Sequence, residues 1–280
     1  MEKAALVLEG GGLRSMFTAA VVDRLIEDNI EFEYVNGVSA GALCGVTYLA
    51  KQAGRVRDIN LTYIKNRRYM SLTNLLATGN VFNFDFLFSG KTQEKYPINY
   101  DKFRESKQLM EATVTNCFTG RPNYYKNSDP DILTAVKASA SMPFFSQPIY
   151  INSIPYLDGG IADAIPYKRA QQLGYKKLVV VLTRDKNYVA KKRRSLSKRF
   201  VRTYYKDYPK LVKQLLNNSE HFNKEFRALE NDKNILVIQP DKEVKVGGTD
   251  NNVSKLRELY DQGSRVMNES MFKLQNYLKN

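Results

Sequence analysis

The sequence predicts a three-layer α/β/α fold with a mostly parallel central sheet and a helical elaboration at the C-terminal end. Short apolar runs alternate along the chain with segments whose apolar residues recur at helical spacing. This alternation is typical of parallel sheets that are covered by helices on both faces. Two of the apolar runs end in glycine-rich turns that lead into helices. At 280 residues, such a fold can close around one core.

The predicted elements follow from apolar periodicity and from glycine, proline and asparagine at their ends. Strands are predicted over residues 4–8, 32–36, 110–116, 149–157, 177–182 and 235–239. The fourth of these is interpreted as a hairpin that turns at Asn152-Ser153. Helices are predicted over residues 16–30, 40–53, 132–139, 167–173, 208–229 and 253–278. We expect a core over residues 1–183 and a basic, helical extension over residues 184–280 packed on the same domain.

Composition and segment lengths indicate a globular protein in a reducing compartment. The apolar fraction of 43% is ordinary for a folded domain. Cys44 and Cys117 are too few for a disulfide framework and lack metal-ligand spacing. The first apolar run is too short for a signal peptide, and none approaches the roughly 18 residues of a membrane-spanning helix. The expectation is a cytoplasmic protein that at most attaches to the inner face of a membrane.

Positive charge is concentrated in one part of the chain, residues 184–210, which we call the basic segment. It contains eleven basic and two acidic residues, a net charge of +9 out of +14 for the whole protein. Lys191, Lys192, Arg193 and Arg194 are expected to contact anionic lipid headgroups. A plain solvated face is the alternative. No nucleic-acid fold signature accompanies the charge, so no nucleic acid partner is expected.

The sequence Gly37-Val38-Ser39-Ala40-Gly41 lies where the second predicted strand meets its helix. A serine nucleophile needs its Oγ held clear of the backbone at a strained turn, and the flanking Gly37 and Gly41 remove the Cβ atoms that would clash there. The positive end of the following helix favours the negative charge that develops during attack. By average composition this pattern arises by chance in roughly one chain in ten of this length. An ordinary serine N-cap is the alternative interpretation.

A second glycine-rich turn, Gly10-Gly11-Gly12-Leu13-Arg14-Ser15, also joins a strand to a helix. Its backbone N–H groups can converge on an anion at the helix N-terminus. A dinucleotide site is excluded by the glycine spacing, and a P-loop by the absence of Gly-Lys-Ser/Thr. Because glycine-rich strand ends of one parallel sheet lie side by side, we interpret this turn as an oxyanion hole beside Ser39. A flexible turn is the alternative.

Asp158-Gly159-Gly160 follows the predicted hairpin, and such a sequence is by itself usually only a turn. We assign Asp158 a catalytic function by eliminating the other candidate for the base. A serine hydrolase needs a base, and the chain contains one histidine, His221, in a polar and charged helical stretch. A solvent-exposed, incidental role is the better interpretation of His221. Asp158 acting directly on Ser39 is therefore the better candidate for the base.

The three motifs, in this order, resemble the patatin-like phospholipase family of the bacterial type. The stretch Ala138-Ser139-Ala140-Ser141-Met142-Pro143 also resembles the family's Ala-Ser-x-Ala-x-Pro block. The likeness covers residues 4–183 and implies a patatin-like fold, a Ser39–Asp158 dyad and acyl-ester hydrolysis on lipids. The oxyanion loop of the family matches Gly10, Gly11, Gly12 and Arg14. Ser15 departs from the family, which usually has glycine there, and we expect its hydroxyl to cap the following helix.

The resemblance implies a lipid or other acyl-ester substrate and requires no metal or organic cofactor. The proton of Ser39 passes to Asp158, and this scheme works best if burial raises the pKa of that carboxyl. An acyltransferase or thioesterase that uses the same serine is an alternative, as is a catalytically silent membrane- or nucleic-acid-binding protein. The sequence assigns no oligomeric state.

Overall fold

A computed structural model describes residues 1–71, 74, 79–88, 90–192, 195–229 and 231–279. Its eight strands, counted over these residues, are β1 (Glu2–Leu8), β2 (Phe32–Val38), β3 (Leu109–Asn116), β4 (Pro122–Lys126), β5 (Ile149–Ile151), β6 (Ile154–Asp158), β7 (Leu178–Val181) and β8 (Ile235–Ile238). They form one sheet in the order β5-β6-β3-β2-β1-β7-β8, and β4 pairs with β3. β1, β2, β3, β7 and β8 are parallel, while β4, β5 and β6 are antiparallel. The predicted mostly parallel sheet is confirmed.

Helices cover both faces of the sheet. Over the same residues they are α1 (Met16–Glu27), α2 (Ala40–Leu49), α3 (Arg55–Tyr63), α4 (Phe84–Phe88), α5 (Gly90–Lys95), α6 (Tyr100–Glu105), α7 (Ile132–Ser139), α8 (Tyr167–Gln172), α9 (Ser195–Tyr204), α10 (Pro209–Leu229) and α11 (Val253–Lys279). In the described part of the chain, no helix combines the length and apolar character needed to cross a membrane.

The side chains of β1 point alternately to the two faces of the sheet, and each face is covered by a layer of helices. Leu6 and Leu8 face the core formed with α1, α2 and α11. Ala5 and Val7 point to the opposite face, where they contact the core formed with α8 and α10. Because successive side chains of a strand point to opposite faces, a strand buried on both faces is apolar throughout. This accounts for the continuous apolar run near the N-terminus.

Most predicted elements are present, with differences at their ends. The hairpin turns at Asn152 and Ser153, which have φ angles of 50° and 64°. α2 ends four residues earlier than predicted, and Lys51 just beyond it has a left-handed φ of 56° that a helix cannot continue through. β4 was not predicted because its sequence begins with proline and is mostly polar.

The C-terminal residues build part of the same sheet and one of its covering layers. β8 pairs with β7, and α11 packs along α1. Tyr277 near the end of α11 receives a hydrogen bond from the Leu178 N–H at 2.8 Å and donates to the Asn234 carbonyl at 2.5 Å. The helical C-terminal region is therefore confirmed, while the boundary at residue 183 stays a prediction.

The contact between α11 and α1 depends on Gly263. A Cβ atom there would lie 2.7 Å from the Phe17 carbonyl oxygen and 2.9 Å from the Ala20 Cβ. Gly263→Ala should gain about 1 kcal/mol in helix propensity but lose about 1–3 kcal/mol through overpacking. Because Phe17 contributes backbone that cannot move aside, we expect the upper half of this overpacking range, and hence a net loss of roughly 1–2 kcal/mol of unfolding free energy, measured by urea denaturation. Ser264→Ala, a control one residue along α11, should change it by less than about 0.5 kcal/mol. Stabilisation by Gly263→Ala would contradict this packing.

Candidate active site

Ser39 lies at a sharp turn between β2 and α2. Its φ of 55° and ψ of −126° place a non-glycine residue in a region that costs about 1–3 kcal/mol. The two flanking glycines are required by close approach: a Cβ at Gly37 would lie 2.6 Å from the Ala42 Cα, and one at Gly41 would lie 2.4 Å from the Leu8 carbonyl oxygen. The motif thus forms a strained turn between a strand and a helix, which we call the elbow.

Ser139, the last residue of α7, fixes the elbow from behind. The Ser39 N–H donates to the Ser139 Oγ at 2.7 Å, and the Ser139 hydroxyl donates to the Thr113 carbonyl at 2.6 Å. Both hydrogen bonds are buried, where they are stronger than in water. The serine of the Ala-Ser-x-Ala-x-Pro block therefore connects the elbow to β3. The sequence identified this block only by its resemblance and gave it no structural task.

Ser39 and Asp158 meet although their strands are not neighbours. β3 lies between β2 and β6, with Val38 paired to Thr113 and Asp158 paired to Val114. The two residues consequently reach the same end of the sheet, and the Ser39 Oγ donates to the Asp158 Oδ2 at 2.7 Å. Ser39 is 5% exposed and Asp158 is 7% exposed, so water has little access to this hydrogen bond.

Asp158 is anchored at three further points. Its Oδ1 accepts from the Gly160 N–H at 2.8 Å, its own N–H donates to the Ser141 carbonyl at 2.9 Å, and its carbonyl accepts from the Thr115 hydroxyl at 2.8 Å. Burial raises the pKa of the carboxyl from 3.8 to about 6, and the hydrogen bonds from Ser39 and Gly160 limit that rise. Such a carboxylate is a better base near neutral pH than an exposed one.

The glycine loop after β1 lies against the elbow. A Cβ at Gly10 would be 3.0 Å from the Ser39 Cβ, and Gly12 has a φ of +54°. The N–H of Leu13 donates to the Gly248 carbonyl, and that of Arg14 donates to the Gly11 carbonyl. Within the described residues, the N–H groups of Gly11 and Gly12 form no hydrogen bond. These two loop N–H groups are therefore open to an incoming oxygen.

The expected helix cap by Ser15 is wrong. Ser15 precedes α1, but its hydroxyl makes no capping hydrogen bond. An N-cap side chain reaches the first turn from an extended backbone, whereas Ser15 has φ −64° and ψ −2°. Its conformation is helical because the 3₁₀ turn Gly12–Ser15 leads directly into α1.

A cleft of about 300 Å³ opens in front of the dyad, and two arginines line it. Burial, and next the positive charge of Arg184, lower the pKa of Arg14 to about 10. Arg184 lies over the ring of Tyr188 at 4.3 Å. Glu9 in the same wall accepts hydrogen bonds from the N–H and the hydroxyl of Thr183, and burial raises the pKa of its carboxyl. Arg14 thus presents its side chain, rather than its N–H, to the cleft.

A second, apolar pocket adjoins Ser39 on the side of α2 and α3. Its apolar walls include Leu43, Val56, Tyr69, Phe82 and Leu87. The two pockets share Gly12, Ser39 and Met142, so the serine lies where they meet. One side of the serine can therefore receive a short apolar group, while the other side faces the cleft that the two arginines line.

The remaining predicted residues lie outside this cluster. His221 is exposed on α10, and the Ser39 hydroxyl bonds to Asp158 instead. Lys191 and Lys192 are exposed, and Lys192 lies 3.4 Å from Glu220. Arg193 and Arg194 fall outside the described residues.

Two C-terminal residues at the site were missed by sequence reasoning. The Asn218 Nδ2 donates to the Gly160 carbonyl at 2.7 Å, and the Gly248 carbonyl accepts from the N–H of Leu13 at 3.0 Å. Both residues also line the cleft. Gly248 belongs to a Gly-Gly pair that marks a turn, but Asn218 carries no sequence signal beyond being a polar residue on an amphipathic helix.

The chain belongs to the patatin-like phospholipase family, whose model matches residues 6–170. The predicted family is thereby confirmed. A second model, described as a domain of unknown function (DUF6363), matches residues 208–279.

Similar proteins occur in bacteria, a virus and a fungus. The chain is 32% identical over 186 residues to the uncharacterized protein YjjU of Escherichia coli (strain K12), covering 65% of this chain and 52% of that protein. It is 23% identical to the probable lipid hydrolase 463L of Invertebrate iridescent virus 6, over 58% of this chain and 61% of that one. It is 25% identical to the lysophospholipase NTE1 of Candida albicans (strain SC5314 / ATCC MYA-2876), over 64% of this chain and 13% of that one. The matched regions thus cover between about an eighth and about three fifths of the length of each of these relatives.

Among solved structures, VipD from Legionella pneumophila aligns with a TM-score of 0.46 at 15% sequence identity. The alignment covers 96% of this chain and 67% of that one.

The raised pKa of Asp158 predicts that the carboxylate destabilises the fold. A pKa of about 6 in the folded state against 3.8 in the unfolded state disfavours folding by about 3 kcal/mol above pH 6, and by nothing below about pH 4. Asp158→Asn should therefore raise the unfolding free energy by up to about 3 kcal/mol at pH 8, with the gain vanishing at pH 4. Urea denaturation at both pH values measures this. Asp207→Asn, at an exposed position, should change stability by less than about 0.5 kcal/mol. A destabilised Asp158→Asn protein at pH 8 would contradict the assignment.

Proposed function

We propose that the protein is a serine acyl-hydrolase that cleaves fatty-acyl ester bonds of lipids, including phospholipids, through a Ser39–Asp158 dyad. The observation that carries the proposal is the buried 2.7 Å hydrogen bond from the Ser39 Oγ to the Asp158 Oδ2. It supplies a nucleophile and a base within reach of each other, at the meeting point of a cleft lined by two arginines and an apolar pocket.

In the first half-reaction, Asp158 accepts the Ser39 proton while the Oγ attacks the ester carbonyl carbon. The tetrahedral intermediate collapses as the protonated Asp158 returns that proton to the departing alcohol oxygen. An acyl-serine remains. In the second half-reaction, Asp158 takes a proton from water, the hydroxide attacks the acyl carbon, and the Ser39 oxygen leaves with the proton as the fatty acid is released.

The oxyanion is held by backbone donors. The N–H groups of Gly11 and Gly12 are free of other acceptors within the described residues. They belong to the same loop as Gly10, whose backbone lies against the Ser39 Cβ. A well-placed donor of this kind contributes about 3–4 kcal/mol to the transition state. α2 adds its positive end directly behind Ser39. Arg14 contributes positive charge from the cleft wall.

Family membership and the relatives' names support a lipid as the substrate. Two of these relatives are called a lipid hydrolase and a lysophospholipase. The apolar pocket beside Ser39, of about 50 Å³, suits the few carbon atoms of an acyl chain that adjoin the ester. Arg14 and Arg184 in the cleft suit a substrate that carries an anionic headgroup.

We further propose that the basic segment brings the enzyme to anionic membranes. Lys191 and Lys192 are exposed just before α9, whose Phe200 and Tyr204 are 54% and 47% exposed. Both rings pack on Phe144, which follows the cleft residues Met142 and Pro143 in sequence. Exposed aromatic rings beside basic side chains suit the interface of a bilayer.

The dyad is tested by substitution at each member. Ser39→Ala should abolish both ester hydrolysis and labelling by a fluorophosphonate probe, because only an activated serine is labelled. Asp158→Asn should be nearly as damaging, because an amide cannot accept the proton. His221→Ala, the control, should stay within about threefold of wild type. Below about pH 6, kcat/KM of the wild type should fall about tenfold per pH unit as Asp158 is protonated. More than about one per cent residual activity in Ser39→Ala, or a crippled His221→Ala enzyme, would refute the dyad.

Membrane attachment is tested by sedimentation with vesicles. Replacing Lys191, Lys192, Arg193 and Arg194 with glutamine should release the protein from vesicles rich in anionic lipid, since each basic residue near the surface contributes about 1 kcal/mol. Wild-type binding should weaken between 0.1 M and 1 M salt, as the Debye length falls from about 10 Å to about 3 Å. A matched variant loses four exposed lysines outside the basic segment, Lys242, Lys245, Lys273 and Lys279, and should still bind. Equal binding of wild type to neutral and anionic vesicles would leave the basic segment as a solvated face.

A further inference from the structure

Asn218 occupies an unusual position on α10. Leu211, Leu215 and Phe226 form its buried stripe, with Phe222 half-buried between them. The spacing of four, three, four and four residues through 211, 215, 218, 222 and 226 places Asn218 in the same stripe. A polar residue in an apolar stripe costs free energy unless it is hydrogen-bonded, so its partners identify what it does there.

The partners of Asn218 are consecutive carbonyls of the loop that follows Asp158. The Nδ2 donates to the Gly160 carbonyl at 2.7 Å and to the Ile161 carbonyl at 3.2 Å. Gly160 is also the residue whose N–H donates to the Asp158 Oδ1 at 2.8 Å. One glycine therefore receives a hydrogen bond from α10 on one side and gives one to the carboxylate on the other. Since glycine has no side chain to pack against its surroundings, the hydrogen bonds at its N–H and at its carbonyl are the contacts that hold its orientation.

The C-terminal residues hold the other half of the site as well. The Gly248 carbonyl accepts from the N–H of Leu13 at 3.0 Å, and a Cβ atom at Gly12 would lie only 2.4 Å from the same oxygen. The glycine loop is thus packed directly on residue 248. Both strand-end loops that surround Ser39 rest on the part of the chain that matches the domain of unknown function.

We propose that residues 208–279 complete the active site, with Asn218 as a positioning residue that holds Gly160 so that its N–H stays aimed at Asp158. The inference rests on the proposed function, in which Asp158 is the base. It gives the C-terminal region a task in the chemistry in addition to its part in the core.

The hydrogen bond from the Gly160 N–H stabilises the charged form of Asp158, so its loss changes the pH dependence of the reaction. If Gly160 is released, this hydrogen bond weakens and the pKa of Asp158 rises. The acidic limb of the pH–rate profile then moves to higher pH. The ionisable side chains around Asp158 and Asn218 are Glu9, Arg14, Arg184 and Tyr188 in the cleft, and Asp163, Lys168, His221 and Glu225 beyond Asn218. A neutral replacement of Asn218 leaves all of these charges in place.

Asn218→Leu keeps the shape of the side chain and removes both donors. With a soluble short-chain ester, we expect kcat to fall about tenfold, KM to stay within about twofold, and the acidic limb to move up by about half a pH unit or more. Asn217→Leu is the matched control, because Asn217 is the exposed neighbour on the same helix, and its profile should coincide with that of the wild type. Asn218→Ala is the second variant; since Asn218 lines the open cleft, shortening it leaves no sealed cavity, and this variant should fold.

The outcomes separate this inference from the proposed function. A shifted acidic limb in both Asn218 variants, with normal thermal unfolding, supports the positioning role. A lowered melting temperature with an unshifted limb would make Asn218 a purely structural residue and overturn the inference, as would wild-type kinetics. A wild type that has no acidic limb, or a Ser39→Ala variant that stays active, would overturn the proposed function instead.

Discussion

Burying the Ser39–Asp158 hydrogen bond is the constraint that organises the site. Ser39 follows β2 and Asp158 ends β6, with β3 between these strands, so the register of β3 decides whether the two residues meet. A carboxylate removed from water is costly, and here it is offset by only two hydrogen bonds to its oxygens. Surrounding groups must therefore be placed so that these bonds are kept. Ser139 behind Ser39 and Asn218 behind Gly160 occupy such places.

Backbone strain at Ser39 and desolvation of the Asp158 carboxylate both lower the free energy of unfolding. A left-handed Ser39 and a buried Asp158 each reduce stability, and both persist because the layers on either side of the sheet are well packed. Reactive sites commonly store such unfavourable terms in surroundings that over-determine them. The helices contributed by the C-terminal region are part of that support.

How far the sequence predicts this structure depends on how local each feature is. The strand–turn–helix around Ser39, the hairpin before Asp158 and the adjacency of the two glycine-rich strand ends all follow from short patterns, and the structure contains them. β4 escaped prediction because its pairing with β3 outweighs a sequence that begins with proline. Asn218 could not be assigned for a related reason. Its partner carbonyls lie almost sixty residues away, and no local pattern encodes which loop an amphipathic helix will cover.

The packing of α11 on α1 joins two helices that lie far apart in the sequence. During synthesis α1 is complete about 250 residues before its cover has been made. At roughly 5–20 residues per second, its apolar face stays open for on the order of 10–50 s, a period in which nascent chains can associate wrongly. Loss of the 27 residues of α11 would uncover a layer of the core, whereas loss of a peripheral tail would leave the core closed. The order of the elements thus makes the formation of α11 the step that closes this layer of the core.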